Sequence, residues 1–388
     1  MILRATARLE TPTAISQRRA TGNDLDTLAF VPGTTLRGAL AETCLRQGSA
    51  EDRTFATLFL EDQVRFGDLR LGGNARWPLS ARWCRENPEH PLMDLLFLYG
   101  ARELTPAGNK PDLEALLECQ ATAGRGGTCK AKMGYPGEGY YFLNSNQRYE
   151  AGNPDTRRVA HVEIDPGVLR SRNGRFHSAS VLTRHQTFEG KIWASPEGAE
   201  TLKKITGKGL PLWIGRGRSR GQGRITLWVD DDQGISTDEM EQQINTFNQA
   251  AVRAFSCFAG QVLFSCTLDS AAILFDEFLL SKDSVSAADI DPELEGYKLL
   301  TCFTRPVDIV GWNAGPRAQL PKPEVRAIAA GSCFLFAHEQ TSDRKQQVRR
   351  VAEILTRVQN ERLGERREEG HGEAAFCSEF HYQGAILP

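Results

Sequence analysis

No stretch of this sequence approaches the roughly 18 consecutive apolar residues that a membrane-spanning helix requires, so no such helix is expected. The opening MILRATARLE sets Arg4, Arg8 and Glu10 among its apolar residues, and without an unbroken apolar core it does not read as a secretory signal. A cytoplasmic protein without membrane association is the expectation. No CxxC pair occurs among the nine cysteines. An odd count in a chain lacking a secretion signal favours reduced thiols, and leaves room for a metal site, over a disulfide framework. Nucleotide motifs are missing too. The glycine-rich stretches do not end in the GK[ST] of a P-loop. The one in mid-chain runs into ITLWV, a strand and not the helix that a dinucleotide fingerprint needs. These absences weigh against an enzyme that handles mononucleotides.

The 388 residues exceed what one hydrophobic core usually serves, and 40% hydrophobic with 25% charged residues is ordinary globular composition, so two domains are expected. A net charge of -2 conceals an asymmetry: Arg157 to Arg224 holds 14 Lys/Arg against 5 Asp/Glu. Such an excess is either the footprint of a polyanion or a solvated basic surface.

Residues 2 to 10 alternate as a strand, and a polar loop with Arg18, Arg19 and Gly22 follows. In FVPGTTLRGALAETCLRQG, Pro32-Gly33 makes a turn and Thr34 or Thr35 caps a helix with Leu36, Leu40 and Leu45 inward, closed by Gly48. The start of that helix, with its free N–H groups and Arg37, is either an anion site or an ordinary capped turn. Residues from about 64 to 150, rich in Gly, Pro and Cys, read as an insertion with helices near Leu92 to Leu98 and Leu113 to Leu117. Alternating runs then flank Asp165-Pro166-Gly167 and Asn173-Gly174, and Asn-Gly in such a setting predicts a hairpin turn. Ser195-Pro196-Glu197 opens a helix with Leu202 and Ile205 on one side. The second half repeats the plan with a strand pair, VLFSCTL and AAILF, a turn in GWNAGPRAQLPKP and a strand in IAAGSCFLFA. A helix from Asp343 to Leu363 then buries Val348, Val351, Leu355 and Val358.

The most informative segment is IGRGRSRGQGRITLW, where Gly215, Gly217, Gly221 and Gly223 alternate with Arg216, Arg218, Arg220 and Arg224, around Ser219. Glycine lets successive N–H groups turn towards one anion, and arginine adds forked charged donors for phosphate. A flexible hairpin turn is the plain alternative. Gly364, Gly370 and Gly372 lie 149 positions after Gly215, Gly221 and Gly223, which marks an internal repeat. The second copy carries Glu365, Glu368, Glu369 and Glu373; its acidity points to a structural loop or protein contact.

Strand, helix, hairpin, helix and a strand led by a glycine-rich loop is the order of a ferredoxin-like βαββαβ unit, here used twice. The expected fold is therefore α+β: two tandem ferredoxin-like (RRM-like) domains, 1–232 and 245–388, with the Cys/Gly-rich insertion and a thumb-like β-hairpin at about 155–190. The combination resembles the CRISPR-associated RAMP superfamily. FVPGTTLRGAL, VRFGDLR with PLSARWC, the glycine loop, GWNAGPRAQLPKPEVRAIAAGS and LGERREEGHGEAAF look like the five-group RAMP subunit of type III-D effector complexes. The resemblance implies a non-catalytic subunit holding the repeat-derived 5' tag of a guide RNA. Its partners would be backbone RAMP subunits and the large polymerase-like subunit, with target RNA met indirectly. On that reading Arg37 and the loop from Gly215 to Arg224 grip the tag, and the hairpin from Arg157 to His185 is a thumb wedged beside it. Arg157, Arg158, Arg170, Arg172 and Arg175 on such a hairpin can reach phosphates and stack on bases. Arg18, Arg19, His161 and His177 complete the expected RNA-binding set.

Cys84, His90, Cys119 and Cys129 lie in an insertion with little apolar sequence of its own, a setting in which one structural zinc ion can supply the missing stability. Their C-x5-H and C-x9-C spacings are loose, so ordinary reduced cysteines remain the alternative. Two rival functions stand beside RNA holding. One is an endoribonuclease using His161, His177 or His185 as general acid or base. The other is a zinc-containing assembly subunit without RNA contact. Asp165, directly before Pro-Gly, is first of all a turn former, and no catalytic residue is assigned.

Overall fold

In the computed structural model of the chain, residues 1–16, 24–46, 48, 53–87, 89–106, 110, 117–123, 127–146, 148–165, 170–315 and 318–383 are described; of these, 122–123, 127, 161–165, 170–177, 312–315 and 318–321 are described by backbone alone. Arg18, Arg19, the helix expected near Leu113 and the Pro166-Gly167 turn lie outside the described residues.

The fold is mixed α+β with mainly antiparallel sheets. In the first half run β1 (Ile2–Leu9), α1 (Gly33–Arg46), α2 (Arg53–Phe59), β2 (Val64–Phe66) and α3 (Leu96–Leu104). The hairpin β3 (Thr156–Asp165) and β4 (Arg170–Leu182) follows, then β5 (Thr187–Ala194), α4 (Pro196–Thr206), β6 (Leu210–Trp213) and β7 (Arg224–Asp232). β1 keeps the expected alternation, with Leu3, Ala5, Ala7 and Leu9 buried and Arg4 and Arg8 exposed. The first sheet is ordered β6-β7-β1-β5-β2 with every neighbouring pair antiparallel. Leu36 and Leu40 of α1, Leu58 of α2 and Leu202 of α4 pack with Phe66, Phe188 and Ile192 of the strands in one core. Ser195 caps α4 by accepting the Gly198 N–H at 3.0 Å, with Pro196 in the first turn.

In the second half α5 (Thr237–Ala254) precedes β8 (Gln261–Leu268), β9 (Lys298–Phe303), β10 (Cys333–Glu339), α6 (Arg344–Glu361) and β11 (Ala374–Phe376). The second sheet is ordered β9-β10-β8-β11, again antiparallel. Read from its last strand, that is fourth, first, third, second, the order that β7, β1, β5 and β2 follow in the first sheet. Phe247, Phe264, Phe334 and Phe336 centre its core, with Val348, Val351, Leu355 and Val358 of α6 packed in as the heptad-like spacing predicts. Each such side chain contributes roughly 2 kcal/mol by leaving water. Leu96, Phe97 and Ala101 of α3 also belong to this core, so a segment from the first half of the chain is anchored in the second sheet's packing.

Several expectations are corrected. Asn173-Gly174 does not form the hairpin turn but lies inside β4, where the register with β3 shifts between Val162 and Ile164. Leu45 is 44% exposed, and Cys44 occupies the inward position. AAILF does not pair with β8 as a strand: Ala272 and Ile273 bridge to Ile328 and Glu365. Val64–Phe66 and Arg70–Leu71 pair with β5 in the first sheet, so the intervening segment begins only after Leu71. The helix expected at Leu92 starts at Leu96 because Met93–Asp94 pairs with Ala81–Arg82.

The halves meet across buried charge. Arg70 lies 2.8 Å from Glu373 and 3.2 Å from Asp269, and Arg362 donates to the Phe66 and Lys191 carbonyls at 2.8 and 3.0 Å. Burial works against the ionised form of Glu373, but Arg70 and Arg362 outweigh it and hold the carboxyl below its usual range. Burial pushes Asp68 up to about 6.

Candidate nucleic-acid interface and cysteine cluster

The loop joining β6 to β7 owes its shape to main-chain bonds. Ile214 N–H donates to Gly223 at 2.8 Å, Arg216 N–H to Ala14 at 2.8 Å, and Gly223 N–H to Pro12 at 3.0 Å. A single 3-10 turn, Arg218–Arg220, lies between left-handed Gly217 and Gly221. Gly223 has φ +84, and a Cβ there would lie 2.0 Å from the Ile214 carbonyl, so no other residue fits. The loop from Gly364 to Gly372 repeats this frame. Leu363 N–H donates to Gly372 at 2.8 Å, Glu365 N–H to Ile273 at 2.9 Å, and Gly372 N–H to Ala271 at 2.9 Å, with a 3-10 turn at Arg367–Glu369. The repeat seen in the glycine spacing is thus a repeat of backbone geometry.

Charge is what differs. Arg216, Arg220 and Arg224 stand where the second loop has Glu365, Glu369 and Glu373. Glu369 pairs with Lys322 and Glu373 with Arg70, so the acidic copy clasps its own chain. In the first copy all four arginines are exposed. Arg218 pairs with Glu42 of α1, and Arg216, Arg220 and Arg224 have no ion pair with another described residue. The Glu42 carboxyl is held below its usual range because Arg218 and Arg46 outweigh its partial burial.

The loop adjoins the hairpin. Thr13 exchanges backbone hydrogen bonds with Leu182 at the root of β4 (3.0 and 2.8 Å), while its neighbours Pro12 and Ala14 bond the glycine loop. The segment following β1 therefore ties the hairpin root to the arginine loop. Arg157 and Arg158 at that root are exposed, with Arg158 4.0 Å from Asp26. Arg170, Arg172, Arg175, His161 and His177 lie on the hairpin backbone, where His161 and His177 are direct cross-strand partners. Their side chains lie outside the described residues. His185 is exposed with φ +72.

Arg37 sits elsewhere. Its Nη2 donates to the Phe59 carbonyl at 2.7 Å, and burial lowers its pKa against the pull of Glu368. At the start of α1 the Gly33 N–H donates to Asp68 Oδ1 at 2.9 Å. The position that an external anion could take there is filled by the chain's own carboxyl.

One feature escaped sequence reading. Trp213, 40% exposed at the end of β6, borders a cavity of about 270 Å³ with Ala39, Glu42, Thr43, Arg46, Arg218 and Ser219. An aromatic at the alternating outward position of LPLW, one residue before the glycine loop, was the available signal.

The four metal-ligand candidates do converge. Cys84 ends the strand Ala81–Cys84, while the Cys119 N–H donates to Ala131 and the Cys129 N–H to Ala121 across a facing ribbon. The Cys84 and Cys129 sulfurs are 3.8 Å apart, Cys119 Sγ lies 3.3 Å from His90 Nδ1, and all four ligand atoms fall within 4.8 Å of one another. A disulfide needs about 2.05 Å, whereas sulfurs tetrahedrally bound to zinc at about 2.3 Å lie close to 3.8 Å apart. Burial opposes ionisation of Cys84, but N–H groups of Asn87 and Glu86, His90 and Cys129 draw the thiol down to about 7. Burial and the neighbouring sulfurs push Cys119 up to about 11.

No protein-family model and no curated protein matches the chain. Solved structures to which it is similar include a chain of "Cryo-EM structure of the Type III-B Cmr-beta bound to cognate target RNA and AMPPnP, state 1", at 14% identity and a TM-score of 0.42 over 90% of this chain and 94% of that one. A chain of "Type III-B Cmr-beta Cryo-EM structure of the Apo state" gives 12%, 0.35, 60% and 98%. "Crystal structure of Pyrococcus furiosus Cmr4 (Cas7)" gives 14%, 0.26, 60% and 100%.

Proposed function

We propose that the chain is a non-catalytic RNA-holding subunit of a CRISPR type III effector complex, of the type III-D five-group RAMP kind, gripping the repeat-derived 5' tag of the guide. The carrying observation is the loop from Gly215 to Arg224. Three exposed arginines with no counter-ion among the described residues stand on an amide-built frame beside the root of an arginine-bearing hairpin. The planar fork of a guanidinium loses less side-chain freedom per hydrogen bond to a phosphate than an ammonium does. The shared strand order of the two sheets is that of a βαββαβ unit and supports tandem ferredoxin-like domains at 1–232 and 245–388, with α5 spanning the boundary. Guide RNA, backbone RAMP subunits and the large polymerase-like subunit are the partners on this reading, target RNA is met indirectly, and the compartment is the cytoplasm. The cysteine cluster holds one structural zinc through Cys84, His90, Cys119 and Cys129.

The test is binding of labelled guide RNA by the R216A/R220A/R224A variant across a salt series. Loss of three contacts to single-stranded phosphates makes the slope of log K against log salt shallower by about 2; unchanged affinity and slope overturn the reading. A second reading has one observation behind it, the His161–His177 cross-strand pair, which could divide acid and base roles in RNA cleavage. Repeat RNA left intact by the purified chain rejects that alternative, whereas cleavage abolished by H161A/H177A establishes it.

A further inference from the structure

The segment between β8 and β9 presents the most concentrated apolar surface among the described residues. Phe278, Leu279 and Leu280 are 74%, 79% and 64% exposed, beside Phe275 at 36%. This is an ordered knob. Phe275 bridges Ser281, and the Asp276 carboxylate accepts the N–H groups of Phe278 and Leu280 at 2.9 and 2.8 Å. The Leu279 N–H donates to the Asp276 carbonyl at 3.0 Å and the Lys282 N–H to Leu274 at 2.9 Å. Leu279 holds φ +60, a conformation that disfavours a leucine and suits glycine. A solvated turn has no use for a strained, fully displayed leucine between two other large apolar side chains.

The surrounding charge narrows what can cover the knob. Asp276 and Glu277 stand on it, while the flanking cations are each neutralised, Lys282 by Asp289 at 2.6 Å and Arg326 by Asp283 at 2.8 Å. An acidic rim repels phosphates, which argues against RNA, and it repels anionic headgroups, which argues against insertion into a membrane. We infer that Phe278, Leu279 and Leu280 form a docking knob for another protein, one that offers an apolar cleft edged by lysine or arginine. Three large side chains entering such a cleft make the kind of small buried anchor that dominates protein interfaces, and Glu277 supplies orientation. The inference is independent of the RNA reading.

A photo-crosslinking amino acid at position 279 of the full chain, in its native cells, identifies the occupant. The expected product is one dominant protein, joined at an apolar residue that Lys or Arg flanks, whose recovery with the chain falls at least ten-fold in F278S/L280S. Because the knob is outside the core, that variant keeps the wild-type melting temperature. L279G separates packing from strain: it raises the melting temperature by about 1–2 °C by relieving the left-handed leucine, yet weakens the association. Crosslinks to RNA, lipid or a second copy of this chain, no crosslink, or full association by L279G each overturn the inference.

Discussion

Replacing Asp68 with asparagine isolates the cost of one buried charge where the two halves meet. In the folded chain the Asp68 carboxyl titrates at about 6 against an ordinary value of 3.8, chiefly through burial, with Glu373 adding to the shift and the Gly33 N–H opposing it. Between those two values the folded protein holds a proton that the unfolded chain has released. Stability therefore falls as pH rises through that window and is flat above it. About two units at 1.36 kcal/mol each amounts to roughly 3 kcal/mol. Asparagine retains an oxygen to accept the Gly33 N–H and removes the charge. D68N is expected to be more stable than wild type by about 1–3 kcal/mol at pH 8, with the advantage shrinking towards zero at pH 4. Urea unfolding followed by tryptophan fluorescence at both pH values measures it. An offset that does not vary with pH, or a variant destabilised at pH 8, contradicts the account of Asp68 as a carboxyl ionised at a cost.

W213A weakens guide RNA binding about ten-fold without altering its salt slope, as loss of a stacking surface should, and W213F restores most of it; equal binding by W213A removes the residue from the interface. G223A, whose Cβ would lie 2.0 Å from the Ile214 carbonyl, lowers stability by about 2 kcal/mol or more in chemical denaturation, and a neutral result contradicts the rigid loop. Elemental analysis finds one zinc per chain in wild type and none in C119S/C129S, whose melting temperature also drops; zinc-free wild type of equal stability removes the metal from the structure.

Much of the framework was legible because it rests on local signals. Ser195-Pro196 announced α4, and the spacing of Val348, Val351, Leu355 and Val358 announced α6. The 149-residue offset of the glycines carries the shared loop geometry in the sequence itself. α5 is equally legible, since Ser236 and Glu239 form a reciprocal cap and Met240, Ile244, Phe247 and Ala251 follow at helical spacing. Asn173-Gly174 misleads because a turn signal competes with pairing, and here both residues are held inside β4. The bonding of Arg70 to Glu373 and of Arg362 to Phe66 was illegible for another reason: the partners are some 300 residues apart in sequence, 303 and 296. The cysteine cluster falls between, since residue types hinted at it and only the folded chain could bring loosely spaced ligands together.

Because hydrogen bonds between main-chain groups give both glycine loops their form, the side chains mounted on them are interchangeable without refolding the support. The same scaffold displays arginine at 216, 220 and 224 and glutamate 149 residues later. Sign of charge is thus a replaceable fitting on a fixed bracket, and one chain can present an exposed basic surface while using its twin to lock its own halves together.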